Sequence, residues 1–224
     1  MIDWCYPLLV WALIFGAATR GVQVLLRGFG PRWLPLLACT ATVVPVQGLP
    51  LGRWLHGYNA NFSIPLVAVL LGVILKPWLK RPLFNEQADR TSCWFGCVAG
   101  LLLYPFALGL SSFDPYSLGW QWPGVACVAA VLAVFLIWRD NSFGLVLLAA
   151  GVAWQIGCLE SDNAWDYLVD PLYVALSFIG LTLLLGQATL KRNPEAPSSS
   201  IELLDTGSNG SSRQLQANDL SIEA

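Results

Sequence analysis

Residues 122–159 read WPGVACVAAVLAVFLIWRDNSFGLVLLAAGVAWQIGCL. Two long apolar runs, Trp122–Trp138 and Ser142–Leu159, stand back to back here, parted only by Arg139-Asp140-Asn141. A connection that short forces an antiparallel helical hairpin. Neither run alternates polar with apolar residues, so neither reads as a half-buried strand. Each comes close to the roughly 20 residues that cross about 30 Å of hydrocarbon as a helix. The pair predicts two consecutive membrane spans joined by a tight turn.

Five more runs of this kind lie outside the pair: Trp4–Ala18, Leu34–Leu51, Phe62–Leu79, Cys93–Leu110 and Pro171–Leu190. The expected fold is therefore an all-α integral membrane protein with seven transmembrane helices. Composition agrees, because 56% of the chain is hydrophobic and only 12% charged. A soluble domain carries about 25% charged residues, so too little charge remains to coat a water-facing surface. Helices are required, since lipid offers no partner to a backbone polar group. A transmembrane barrel would show short alternating segments instead.

Orientation follows from the cations. The odd connections carry Arg20, Arg27 and Arg32, then Lys76, Lys80, Arg81 and Arg90, then Arg139; the tail adds Lys191, Arg192 and Arg213. The N-terminus and the even connections carry only Arg53. The N-terminus is expected outside and the C-terminus in the cytoplasm. Asp3 precedes the first run and no basic residue does, so that run reads as an uncleaved anchor and not a signal peptide. Short loops and this charge bias point to a multi-pass protein of a bacterial inner membrane.

One membrane domain is expected over residues 1–192, followed by a disordered cytoplasmic tail over 193–224. The tail opens on Asn193-Pro194-Glu195-Ala196-Pro197 and a serine run, and it lacks the apolar residues needed to offset its ordering entropy. The second run is unusual in shape. Pro45 and Pro50 flank Gln47, which predicts a kink or break towards the outer side.

Polar and aromatic residues gather on the outer connections. Arg53, His56, Asn59, Asn61, Tyr116, Trp120 and Gln121 are joined by the run Glu160, Asp162, Asn163, Trp165, Asp166, Tyr167 and Asp170. Rings beside carboxylates and amides suit a sugar or lipid headgroup, and Arg53, Asn59, Trp120, Asp162, Trp165 and Asp166 are the candidate ligand-binding residues. An aromatic belt at headgroup depth accounts for the rings without any site, and Asp170-Pro171 reads as a helix cap followed by proline in the first turn.

His56 is the only histidine. It is a candidate general base beside an outer carboxylate, with Asp162 and Asp166 as partners. A single histidine excludes zinc sites built from several. No Gly-x-Ser-x-Gly turn or phosphate-cradling glycine loop is present. The six cysteines form no Cys-x-x-Cys pair; Cys5, Cys127 and Cys158 fall on the outer side, where a disulfide is chemically permitted. No metal or cofactor is expected, and no basic cluster suits nucleic acid.

Three functions fit these residues. The first is a non-enzymatic or accessory cell-envelope factor whose outer rim recognises a glycan, a lipid headgroup or another membrane protein. The second is a small-solute transporter using the kinked second helix. The third is a transferase or hydrolase of envelope lipid or glycan, with His56 and an outer carboxylate as acid–base pair.

Overall fold

A computed structural model describes residues 5–28, 30–110, 112–121 and 124–192. The expected tail over 193–224 lies outside the described residues, as do Trp4 and Trp122 at the ends of two expected spans. Among the described residues the chain is all-α apart from one two-residue hairpin. Residues 1–182 form one compact unit; beyond it, the described residues continue the last helix to Arg192.

The helix α1 (Cys5–Leu25) is followed by α2 (Leu34–Cys39) and a 3-10 turn over Thr40–Val43. The strands β1 (Pro45–Val46) and β2 (Leu49–Pro50) then pair antiparallel, and α3 covers Leu51–His56. The expected single helix over Leu34–Leu51 is thus broken outright. Pro45 and Pro50 lack the N–H that a helix needs, and the turn between the strands puts Gln47 and Gly48 at positive φ. The segment still runs antiparallel to α1. Gly16 faces Pro35 and Cys39, and further along Gly52 faces Leu8 and the Thr42 carbonyl.

The helix α4 (Ile64–Leu75) starts where Ser63 accepts the Leu66 N–H, and Lys76-Pro77 follows its end. The helix α5 (Glu86–Ala107) begins seven residues ahead of the expected Cys93. Its polar first turns are helical because Asn85 accepts the Ala88 N–H at 2.7 Å and Glu86 and Asp89 suit the positive helix end. A 3-10 turn at Pro115–Ser117 leads into α6 (Leu118–Gln121). The hairpin expected from Arg139-Asp140-Asn141 joins α7 (Gly124–Trp138) to α8 (Phe143–Gln155), with Asp140 at positive φ. After the short α9 (Ala164–Leu168) comes α10 (Pro171–Arg192).

Contacts sort the connections to two ends. At one, Asn85 donates to the Asp140 carbonyl at 3.0 Å and Asn141 donates to Thr91 at 2.8 Å. At the other, the Tyr6 hydroxyl donates to the Phe62 carbonyl, Ser63 meets Asp170, and Tyr116 meets Asp166. Between the ends, α5 and α10 pack through small residues. A Cβ on Gly96 would collide with Ser177, and one on Gly100 would lie 2.6 Å from Val174. Tyr173 is buried beside them and donates to the Ser92 carbonyl at 2.8 Å.

Phe62, Leu66, Leu103, Phe143 and Leu147 are buried, but many other large apolar side chains face outward. Leu101, Leu102, Val128, Val131, Leu145 and Ile179 are exposed, while Gly96, Gly100, Ala133 and Ala150 are buried. Among the described residues, α1 alone is long and apolar enough to cross a membrane by length and composition. The apolar segments 34–43, 64–75, 124–138, 143–155 and 171–187 are shorter than the expected spans.

Gly100→Leu should destabilise the protein by about 1–3 kcal/mol through overpacking against Val174. Leu101→Ala, on the exposed face, should change little. Thermal unfolding in mild detergent reads both, and equal effects would contradict the α5–α10 contact.

Candidate functional site

The connection between α8 and α10 is held from several sides. Asn163 caps α9 by accepting the Trp165 N–H at 2.9 Å, and its amide donates to the Tyr116 carbonyl at 3.1 Å. The Trp165 indole donates to the Pro115 carbonyl at 3.0 Å. The Trp154 indole donates to the Asp162 carbonyl, and the Leu159 N–H to the Tyr167 hydroxyl, each at 3.0 Å. Three indole and amide donors therefore fix this loop without using its carboxylates.

Tyr116 donates to both carboxylate oxygens of Asp166 at 3.0 Å. Burial, then the Asp166 charge, push the phenol up to about 12, so it stays protonated and keeps donating near neutral pH. Trp120 stands edge-on to the Tyr116 ring with centroids 6.5 Å apart. Its indole is largely exposed.

Asp170 is buried at 2% exposure. One oxygen accepts the Ser63 N–H at 3.0 Å and the Ser63 hydroxyl at 2.6 Å; the other accepts the Leu172 and Tyr173 N–H groups at 2.9 and 3.0 Å. The carboxylate caps α10 and ties it to the start of α4 in one stroke. Burial raises its pKa while the four donors pull it back down. A carboxyl raised in the fold favours folding most below its unfolded pKa, and that share is lost as pH rises through the folded value.

Between these two carboxylates lies a cavity of about 500 Å³, within the range of small-ligand sites. Its polar wall is Asn59, Asn61, Tyr104, Tyr116, Asp166 and Asp170; its apolar wall is Leu103, Ala107, Val169 and Pro171. Asn59 accepts the Asn61 N–H at 3.0 Å. The side-chain oxygen of Asn61 is buried and has no partner.

The structure brings some sequence candidates together and separates others. Asn59 and Asp166 share the cavity, and Trp165 and Trp120 pack behind Tyr116. Asp162 contributes its carbonyl, and its side chain is exposed. Arg53 lies on exposed surface in the last turn of α3. The carboxylate that reaches His56 is Glu160, at 3.4 Å, while Asp166 is engaged by Tyr116. The other imidazole nitrogen of His56, Nδ1, is buried with no partner.

Cys5 and Cys158 line one cleft of about 750 Å³ with Tyr6, Leu9 and Glu160, and Cys127 is exposed on α7. Among the described residues, no three His, Cys, Asp or Glu side chains are placed to hold a metal ion. Sequence reading missed Tyr104 as a lining residue, because an aromatic residue near a helix end looks like any interfacial ring. It also missed Ser63, whose Ser-Ile-Pro start is a legible cap but whose partner is 107 residues away. No family model, curated protein or solved structure matches this chain.

Ser63→Ala should cost about 1–3 kcal/mol, since it strips a donor from a buried carboxylate. Asp170→Asn should cost at least as much, because an amide turns its own N–H groups towards backbone donors. Thermal unfolding checks both; an unchanged midpoint for Asp170→Asn would refute the four-donor arrangement.

Proposed function

We propose that this chain is a seven-span protein of a bacterial inner membrane. Its N-terminus and even connections would face outward and its C-terminal tail the cytoplasm. Its cavity at the outer rim would bind the polar headgroup of an envelope glycan or lipid, without catalysis. Three features support the membrane reading. Eleven of the twelve cations fall on one side of the threading. The contacts that join connections respect that same alternation. Many large apolar side chains on α5, α7, α8 and α10 face outward, and Gly96 and Gly100 pack inward, as helices close-packed in lipid allow. The shorter helices would be completed at headgroup depth by coil and 3-10 turns, with Trp33, Trp54, Trp78 and Trp138 exposed near their ends.

The observation that carries the binding reading is the cavity itself, where Asn59, Asn61 and the Tyr116–Asp166 pair share one polar wall. Amides both donate and accept while a carboxylate accepts, and a hydroxylated headgroup offers the matching groups. Leu103, Val169 and Pro171 offer an apolar floor for the carbon skeleton. One observation favours a second reading, as an envelope-lipid transferase or hydrolase. His56 holds Glu160 on one side and an orphaned nitrogen on the other, and Glu160 borders the cleft of Cys5, Tyr6 and Leu9. That pair has the parts of an acid–base couple.

Ala107→Trp should fill the cavity and weaken headgroup binding at least about tenfold, which is 1.4 kcal/mol. Calorimetry with the full chain in nanodiscs, against glucose, glucosamine and glycerophosphodiester headgroups, measures this. Failure of every probe to bind the unaltered protein would refute the binding reading, and binding unaffected by Ala107→Trp would move the site elsewhere.

A further inference from the structure

Charge in the outer cavity is lopsided. Among the described residues, no Lys, Arg or His lines it. Tyr116 already spends its hydroxyl hydrogen bond on Asp166. The Asn61 side-chain oxygen is buried out of reach of solvent, and Asn59 spends its carbonyl oxygen on the Asn61 N–H. The two carboxylates differ. Asp170 receives four donors and has little acceptor capacity left. Asp166 receives a single hydroxyl shared between its oxygens, and a carboxylate offers about four lone-pair sites. Asp166 is also only partly buried, so it meets a ligand without a prior change of fold.

We propose that the occupant of the cavity between Asp166, Asn61 and Tyr104 carries a primary ammonium group, as an amino sugar or an ethanolamine-type headgroup does. This rests on the headgroup-binding reading above and narrows its ligand. An ammonium has three donors and no acceptor. It gives the spare lone pairs of Asp166 a charge-assisted donor. Its charge offsets a wall that is formally anionic, and the Tyr104 and Tyr116 rings add cation–π attraction. A neutral hydroxyl would meet the same acceptors with a weaker bond, because charge-assisted bonds are roughly twice as strong. An anionic headgroup would meet like charge. Tyr116 holds Asp166 in place and is a positioning residue here.

The test compares matched probes on the full chain in phosphatidylcholine nanodiscs by calorimetry. Glucosamine is set against glucose, and glycerophosphoethanolamine against glycerophosphoglycerol. The proposal expects the aminated member of at least one pair to bind about tenfold more tightly than its hydroxylated partner. The pair that shows the gap identifies the source as sugar or lipid. Asp166→Asn should erase the gap; the wild-type comparison stands even if that variant misfolds. Equal binding within both pairs overturns the ammonium assignment and leaves headgroup recognition intact. No binding by any probe overturns both.

Discussion

Leu101 and Leu102 on α5, Val128 and Val131 on α7, and Leu145 and Leu148 on α8 all face away from the protein interior. Opposite them, Gly96 and Gly100 press against Ser177 and Val174. Water would penalise so wide an apolar exterior, whereas lipid is indifferent to it and lets small residues bring helix backbones close. On the proposed reading, the surrounding solvent thus decides which residues go inward. The interior still buries Phe62, Leu66, Leu103, Phe143 and Leu147, and around Gly96 and Gly100 it is closed by tight backbone approach and a few buried hydrogen bonds.

Polar chemistry then has to sit at the ends or be fully partnered. Tyr173 and Ser92 are partnered within the α5–α10 contact. Asp170 is the costliest group, and four donors compensate it where α4 and α10 begin. That anchor matters for the site as well as the fold. It fixes Ser63 and hence the approach of Asn59 and Asn61, while Asn163 and Trp165 fix Tyr116 from the other side. The cavity lies between two walls that the protein's own hydrogen bonds brace. Such preorganisation lowers the entropic cost of binding.

Hydropathy made the helices at α1, α4, α5, α7, α8 and α10 legible, because each is an apolar run closed by Pro, Asn, Ser or charge. It misplaced the start of α5, since residues 86–92 are mostly polar and are held helical by the Asn85 cap, with Ala88 and Ser92 alone buried among them. It read Pro45 and Pro50 as a kink or break but missed the strand pair after Val43, because prolines announce disruption without saying how the chain continues. The cap role of Asp170 was readable from Asp-Pro; its bond to Ser63 was not, for no local pattern links residues 107 positions apart. His56 shows the same limit. Sequence placed it among outer carboxylates, and only the fold selects Glu160 among them.

The central claim is the threading, and sided chemical labelling tests it most directly. Cysteine substitutions at Tyr58, Asp162, Lys80 and Asp140, each in a cysteine-free background, would be exposed to a membrane-impermeant maleimide in intact spheroplasts. The account predicts labelling at positions 58 and 162 at once, and at 80 and 140 only after the membrane is opened. Labelling of positions 80 and 162 from the same side would contradict it.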